Sequence, residues 1–454
     1  MHLFIGIDLG TSGCRAIAID ERSTIHGEAA VSLPTPQRDG NHVEQDPELW
    51  WEAVCECLHT LTKSIDSSRV AAIAVDGTSA SFLLTDTSGA PLTPGIMYSD
   101  ARATKQAEAI SCIAPSNTAA QGATCALAKL LWLQGKGLQE KGLQENSGVT
   151  LNAKHIAFQA DWISAKLSGR LGISDYNNVL KLGFDAEQKQ WPVWLKKLKT
   201  PMHLLPEVVA PGTVIGNLTQ DNAQRFGLPE NTCIVAGATD STASFIATGA
   251  SRPGEAVTAL GSTLVLKVIT DKPVFAPEYG VYSQPLFGEK NLWLVGGSSN
   301  TGGSVLKQYF TSAQLQAMTP QLRPDQPTGL DYYPLPCAGE RFPTNDAQLQ
   351  PRLNPRPEND VIFFQGMLEG MAKIEANGYR LLEKLGAPYP DSVRSTGGGA
   401  KNTAWTTIRK NLLCDKKTTT MITAQNTEAA FGTALLARHG LAKHGMQPNK
   451  ETGK

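Results

Sequence analysis

Residues 4–13 read FIGIDLGTSG. One acid, Asp8, lies inside an apolar, strand-like run and is followed at once by Gly10, Thr11, Ser12 and Gly13. A Gly-rich turn between strands exposes backbone N–H groups, and the Thr11 and Ser12 hydroxyls add donors. Such a turn suits phosphate oxygens. A carboxylate beside phosphate repels it unless a divalent cation lies between. Asp8 therefore reads as a partner of Mg2+, directly or through water. The stretch GATDSTASFIATGA (237–250) supplies a second acid. Asp240 follows a buried strand and opens a helix, where the helix dipole favours an ionised carboxylate. That group can take the proton of a substrate hydroxyl as it attacks phosphorus. A third stretch, STGGGAKNTAW (395–405), sets three consecutive glycines before Asn402. A flat ring can lie against side-chain-free backbone, and the Asn402 amide can read ring nitrogens, so an adenine site fits. Taken alone, each stretch also fits a structural role: Asp8 tying down its own turn, Asp240 capping its helix, the glycines forming a plain turn.

Periodicity predicts the elements that must hold these residues. Segments 2–8, 14–20 and 25–33 read as an antiparallel meander of three strands. A helix opens at Asp46 and Pro47, a good N-cap followed by a good first helical residue. Segment 70–77 is continuously apolar, as in a strand buried on both faces. Helical patterns lie near 101–112, 124–135 and 157–168. A buried strand over 232–237 precedes a short helix ending at Gly249. The turn VDGTSAS (75–81) has hydroxyls expected to face outward; it suits a polyhydroxylated substrate or is simply a turn. Beyond residue 250, two strands over 255–270 join at Gly261 and Ser262. Segment 312–360 reads as a long irregular insertion, 364–385 as an amphipathic helix, and 392–413 as strand, Gly-rich turn and helix. A last helix covers 427–440, and the polar tail beyond it is expected to fray. Segment 7–19 echoes 258–269: Leu-Gly and two hydroxyl residues precede a strand. The echo suggests two halves on one plan, each offering a small turn to the same ligand.

The chain has 454 residues, which predicts about two or three domains. Its formal net charge is −1, with no long basic run, which argues against nucleic acid as the main partner. No apolar stretch reaches about 18 residues, so no membrane span is expected. The N-terminus lacks the features of a signal peptide, and the eight cysteines are scattered without CxxC. Free thiols in a cytoplasmic protein without a zinc site are expected.

In order along the chain, IDLGTS, DGTS near 77, GATDS near 238, LGST near 261 and TGGGAKN near 398 form a specific series. This series resembles the FGGY carbohydrate kinases of the actin/hexokinase/Hsp70-like superfamily. HVEQDPELWWEA (42–53), SDYNNVLKLGFD (174–185) and EAAFGTALLA (428–437) support it, and it covers about residues 3–440. The resemblance implies an α/β protein of two ribonuclease-H-like domains, 1–247 and 248–454, with ATP and sugar in the cleft between them. It implies Asp240 as catalytic base and sugar contact, and Asp8 as the Mg2+ residue. Thr11 and Ser12 would form the first phosphate loop, and Gly261, Ser262 and Thr263 the second. Gly398, Gly399, Asn402 and Trp405 would hold adenosine. Glycerol kinases carry an Arg-Glu pair in the loop matching GTSASF, and xylulose kinases a Met-His pair; here those positions are Ser79 and Ala80. Ser79 is the expected hydroxyl contact. D-ribulose is the expected substrate and D-xylulose the alternative, in a monomer or homodimer. An alternative of another class is a nucleotide-driven switch of the same superfamily.

Overall fold

The computed structural model describes residues 1–136, 152–286, 292–414 and 419–445. Of the tail expected to fray beyond residue 440, residues 441–445 continue the final helix, and the rest lies outside the described residues. The chain forms two compact units: Met1–Ala247 with Pro285–Glu289 and Glu428–Lys454, and Thr248–Gln284 with Lys290–Thr427.

The first unit is built on a six-stranded sheet. Its order is Val214–Asn217, Cys233–Val235, Val70–Gly77, Leu3–Leu9, Gly13–Asp20, Ile25–Ser32. The first three strands of the chain form the antiparallel meander their apolar runs predict. Val70–Gly77 and Cys233–Val235 then add in parallel. Parallel pairing brings C-terminal strand ends together. Asp8 lies opposite Asp76, and Gly77 bridges Thr239, the residue before Asp240. The helix Pro47–Ser64 starts as expected, with the Asp46 carboxylate accepting the Glu48 N–H at 3.0 Å. It buries Trp50, Val54, Leu58 and Leu61. A second sheet pairs Gln37–Asp39, His42–Gln45, Gly95–Ile96, Phe82–Thr85 and His155–Phe158.

The final helix, Ala429–Gly445, belongs by linear order to the second half, yet it packs on strands Leu3–Leu9 and Val70–Gly77 of the first unit. The reason is close approach. A Cβ on Gly6 would stand 2.0 Å from the Ala430 carbonyl oxygen, and one on Gly432 would stand 1.9 Å from that of Ala243. At Gly6 strand and helix touch backbone to backbone, and at Gly432 the final helix meets helix Asp240–Ala247 in the same way, which only glycine permits.

The second unit repeats the sheet. Its order is Tyr282–Pro285, Trp293–Ser299, Leu264–Thr270, Glu255–Leu260, Ser392–Thr396, Thr420–Ile422. Glu255–Leu260 and Leu264–Thr270 are antiparallel, and Ser392–Thr396 adds in parallel. In each unit, then, a first hairpin turns on small residues, and a later strand pairs parallel to its first arm. The echo between 7–19 and 258–269 is this shared hairpin.

Helix Asp360–Lys384 buries Phe363, Phe364, Met367 and Met371 in the core of this unit. Segment 312–360 is not wholly irregular. Helix Ser312–Met318 and a 3-10 turn, Thr319–Gln321, open it. The Thr311 hydroxyl accepts the Gln314 N–H at 3.3 Å, and the Gln314 side chain accepts the Thr311 N–H at 2.9 Å. This reciprocal cap is a readable Thr-x-x-Gln signal.

Among the described residues no helix is long and apolar enough to cross a membrane. All eight cysteines are free thiols.

Candidate functional site

Asp8 is half-buried at the end of its strand. The turn after it is closed by Gly10 N–H donating to the Gly13 carbonyl at 2.9 Å, and is tied to the next strand by Leu33 N–H donating to the Ser12 carbonyl at 2.9 Å. Thr11 is half-buried and Ser12 exposed. Arg15, opposite Asp8 in register, pairs with Glu428.

The neighbour that sequence reasoning missed is Asp76. It is fully buried, and the Thr433 hydroxyl donates to its Oδ2. Among the described residues its Oδ1 accepts no hydrogen bond, and Asp8 lies beside it on the neighbouring strand. Burial first, and then the Asp8 charge, hold the Asp76 carboxyl well above the usual carboxylate range. Burial also raises Asp8, against the lowering effects of Asp76 and Arg15. The deeper Asp76 is therefore the better proton holder of the pair, which leaves Asp8 as the carboxylate. The signal for Asp76 was an acid in a run otherwise buried on both faces.

Asp240 is half-buried at the first position of helix Asp240–Ala247, and its Oδ1 accepts the Ser241 N–H at 2.6 Å. Parallel pairing thus gathers Asp8, Asp76 and Asp240 at the same end of one sheet, and both Asp8 and Asp240 raise the Asp76 carboxyl.

The turn after Val70–Gly77 differs from expectation. Its hydroxyls do not all face outward: Thr78 and Ser81 are buried. Thr78 N–H and Oγ1 donate to the Gln159 side-chain oxygen at 3.0 and 2.8 Å, and Ser81 Oγ accepts the Tyr98 N–H at 2.9 Å. Buried hydroxyls need partners, and these fix the turn from inside. Ser79 alone of the three is half-exposed.

In the second unit Gly261 and Ser262 are exposed and Thr263 half-buried. Gly303 N–H donates to the Gly261 carbonyl at 2.9 Å, and Ser304 N–H to that of Ser262 at 3.1 Å. Gly261 and Ser262 line one side of a cavity of about 770 Å³, whose other walls include Gly398, Gly399, Asn402 and Trp405. Thr263 is not among its lining residues. Asn402 caps helix Thr403–Leu413 with its oxygen, which accepts the Trp405 N–H at 3.0 Å, so its amide nitrogen remains a donor. Trp405 is buried, and its Nε1 has no hydrogen-bond partner. Leu315, Gln316 and Pro320, from the segment read as irregular, form a further wall. A mainly apolar slot with a few polar groups suits a flat heterocycle joined to a polar chain.

Two family models cover the chain. The N-terminal domain of the FGGY family of carbohydrate kinases matches residues 3–247, and the C-terminal domain of that family matches residues 256–441. A xylulose kinase of Staphylococcus xylosus is 23% identical over 456 residues, covering 97% of this chain and 91% of its own. A Bacillus subtilis gluconokinase is 24% identical over 365 residues, covering 75% and 68%. The solved xylulose kinase of Brucella ovis has a TM-score of 0.84 at 24% identity, covering 98% of this chain and 92% of that one, and shares the two-unit fold. These relatives are sugar kinases, and they give no support to a nucleotide-driven switch. With both domain models matched in order and each unit built on the same repeated hairpin sheet, the chain belongs to the FGGY family of carbohydrate kinases and is a phosphotransferase acting on a sugar.

Proposed function

We propose that the chain transfers the γ-phosphate of ATP to a hydroxyl of a ketopentose, with D-xylulose as the first candidate. The observation that carries this reading is the near full-length likeness to a protein named xylulose kinase. A second reading, D-ribulose, rests on one feature: Ser79 and Ala80 stand where xylulose kinases are expected to carry Met and His.

In this reading the second unit holds ATP. The cavity at Gly398, Gly399, Asn402 and Trp405 takes adenosine, and Gly261, Ser262 and Thr263 meet the phosphates. In the first unit Asp240 accepts the proton of the attacking C5 hydroxyl, and Thr11 and Ser12 donate to phosphoryl oxygens. Among the described residues no group of three His, Cys, Asp or Glu side chains could hold a metal. Asp8 as a lone half-buried carboxylate suits Mg2+, which keeps waters and takes phosphate oxygens as its other ligands. When bound, the ion neutralises charge on those oxygens. Asp76, tied to Thr433, backs Asp8 from the buried side.

A coupled assay over ketoses, polyols and gluconate tests the substrate. The highest kcat/KM is expected on D-xylulose, with D-ribulose next and glycerol negligible. A preference for D-ribulose establishes the second reading, and a preference for glycerol or gluconate removes both. Ser79→Ala should lower kcat/KM for the ketopentose by a net hydrogen bond, about 0.5–1.5 kcal/mol, with ATP KM unchanged. An unaffected sugar KM takes Ser79 out of the site.

The nucleotide cavity has its own test. A Cβ on Gly399 would stand 2.5 Å from Trp405 Cζ3 and 2.8 Å from Leu260 Cβ. Gly399→Ala forces Trp405 or Leu260, both of which line the slot, to shift, and such overpacking costs about 1–3 kcal/mol of stability. ADP affinity, measured by titration calorimetry, should fall while sugar KM stays the same. Unchanged ADP affinity would place adenosine elsewhere.

A further inference from the structure

Lys129, on helix Ala126–Lys136, is a fully buried cation. Its Nζ donates to the Ala80 carbonyl at 2.7 Å and to the Met97 carbonyl at 2.9 Å, and it lies 5.6 Å from the centroid of the Phe82 ring. Two carbonyls accept two of the three ammonium N–H groups, and the Phe82 ring lies within cation–π range. Among the described residues no carboxylate pairs with it. The nearest acid in charge terms, Asp100, is taken up by Arg102 at 2.6 Å and by the Val43 N–H at 2.6 Å. A charge buried at this cost, with backbone carbonyls as its partners, is spent on holding backbone.

The backbone it holds is unusual. Ala80 has φ of +70° and is fully buried. A residue with a Cβ adopts that left-handed conformation only where its surroundings impose it. Flipping the turn to relieve it would carry the Ala80 carbonyl away from Lys129. Thr78 and Ser81 are fixed on either side, so the remaining freedom of the turn is at Ser79 and Ala80.

We propose that Lys129 is a positioning residue of the sugar turn: by holding the Ala80 carbonyl it keeps Ala80 left-handed and sets where Ser79 stands. The inference rests on the reading that this turn meets the sugar. Burial lowers the Lys129 pKa to about 7. Asp100 and Cys125 favour its charge, while Lys181 and Arg102 oppose it. The ammonium is thus present below that pH, and above it the neutral amine keeps two N–H donors and loses the charge that strengthens them. The grip weakens as pH rises.

Lys129→Met tests this, alone and combined with Ala80→Gly. If the competent turn falls to about a tenth of molecules, sugar KM rises about tenfold, with ATP KM unchanged. Amide hydrogen exchange over residues 78–82 should quicken in the same variant. Ala80→Gly makes the left-handed turn free of its Cβ penalty, so in the Lys129→Met background it should restore most of the lost sugar affinity. Wild-type sugar KM and exchange in Lys129→Met overturn the proposal, and so does a defect that Ala80→Gly leaves untouched, which assigns Lys129 to packing alone. If Lys129→Met does not fold, the wild-type pH profile decides: sugar KM should climb through about pH 7 while ATP KM does not, and a flat sugar profile overturns it. Hydrogen exchange needs no sugar. If Ser79→Ala leaves sugar KM unchanged while exchange still responds to Lys129→Met, the sugar-turn reading has failed and the positioning of Ala80 stands.

Discussion

Asp240→Asn is expected to abolish sugar phosphorylation and leave nucleotide binding intact. The substitution keeps the side chain's shape. Asp240 Oδ1 accepts the Ser241 N–H at 2.6 Å, and the amide oxygen of Asn can accept the same bond, so the start of helix Asp240–Ala247 is preserved. What is lost is the proton acceptor. Loss of a general base costs about 10²–10⁴ in rate. The cavity assigned to adenosine is lined by residues from Leu260 to Trp405, all within the second unit. ADP affinity should therefore be the same in mutant and wild type, while kcat on the preferred ketopentose falls by that factor. Near wild-type turnover in a folded Asp240→Asn protein would end the assignment of Asp240 as base. A parallel loss of ADP affinity would show instead that the substitution disturbed more than the proton acceptor.

Much of this arrangement was legible in the sequence because it is local. The meander, the Asp46 cap and the two small-residue turns are each encoded within a few residues. The hairpin repeated at 7–19 and 258–269 was visible as an echo for the same reason. The misses share a different cause. Asp76 acquires its meaning from Asp8, which lies 68 positions earlier in the numbering, and from Thr433 on the final helix; the parallel register brings Asp8 beside it, and helix packing brings Thr433. The final helix itself crosses back to the first unit through Gly6 and Gly432, whose role is invisible until the packing is known. Thr78 and Ser81 look like surface hydroxyls in a string of small residues; Gln159, from a distant helix, turns Thr78 inward, and the Tyr98 N–H holds Ser81. Lys129 has no local signal either, since its acceptors, the Ala80 and Met97 carbonyls, come from distant segments. The helix at 312–318 is the exception, since its Thr-x-x-Gln cap was present in the sequence and was outweighed by the surrounding Pro and Gln.

The second large effect is expected on stability, at Arg409. Its guanidinium grips Glu375 with two bonds, Nε to Oε2 at 2.6 Å and Nη2 to Oε1 at 2.7 Å, and Nη1 donates to Ser395 Oγ at 2.7 Å. Glu375 Oε1 also accepts the Thr258 hydroxyl at 2.6 Å, and Thr258 meets the Tyr379 hydroxyl at 2.9 Å. Arg409 and Glu375 are both fully buried. The network joins helices Asp360–Lys384 and Thr403–Leu413 to strands Glu255–Leu260 and Ser392–Thr396. Those strands lead into the Gly261 turn and the Gly397–Gly399 turn, so one ion pair braces both edges of the cavity assigned to adenosine. Arg409→Met leaves a carboxylate buried without its cation, and breaking such a pair costs about 3–5 kcal/mol. Removing both charges with Arg409→Met and Glu375→Leu avoids that penalty, because apolar replacement of a whole buried pair is often close to neutral. Urea unfolding should therefore show the single variant far less stable than the double, with a large coupling between the sites. ADP binds only the folded unit and should offset part of the single variant's loss, growing with the logarithm of one plus the ratio of ADP concentration to Kd. Losses that simply add in the double variant would mean that the two side chains stabilise the unit by packing, and that the pair itself does not brace the cavity.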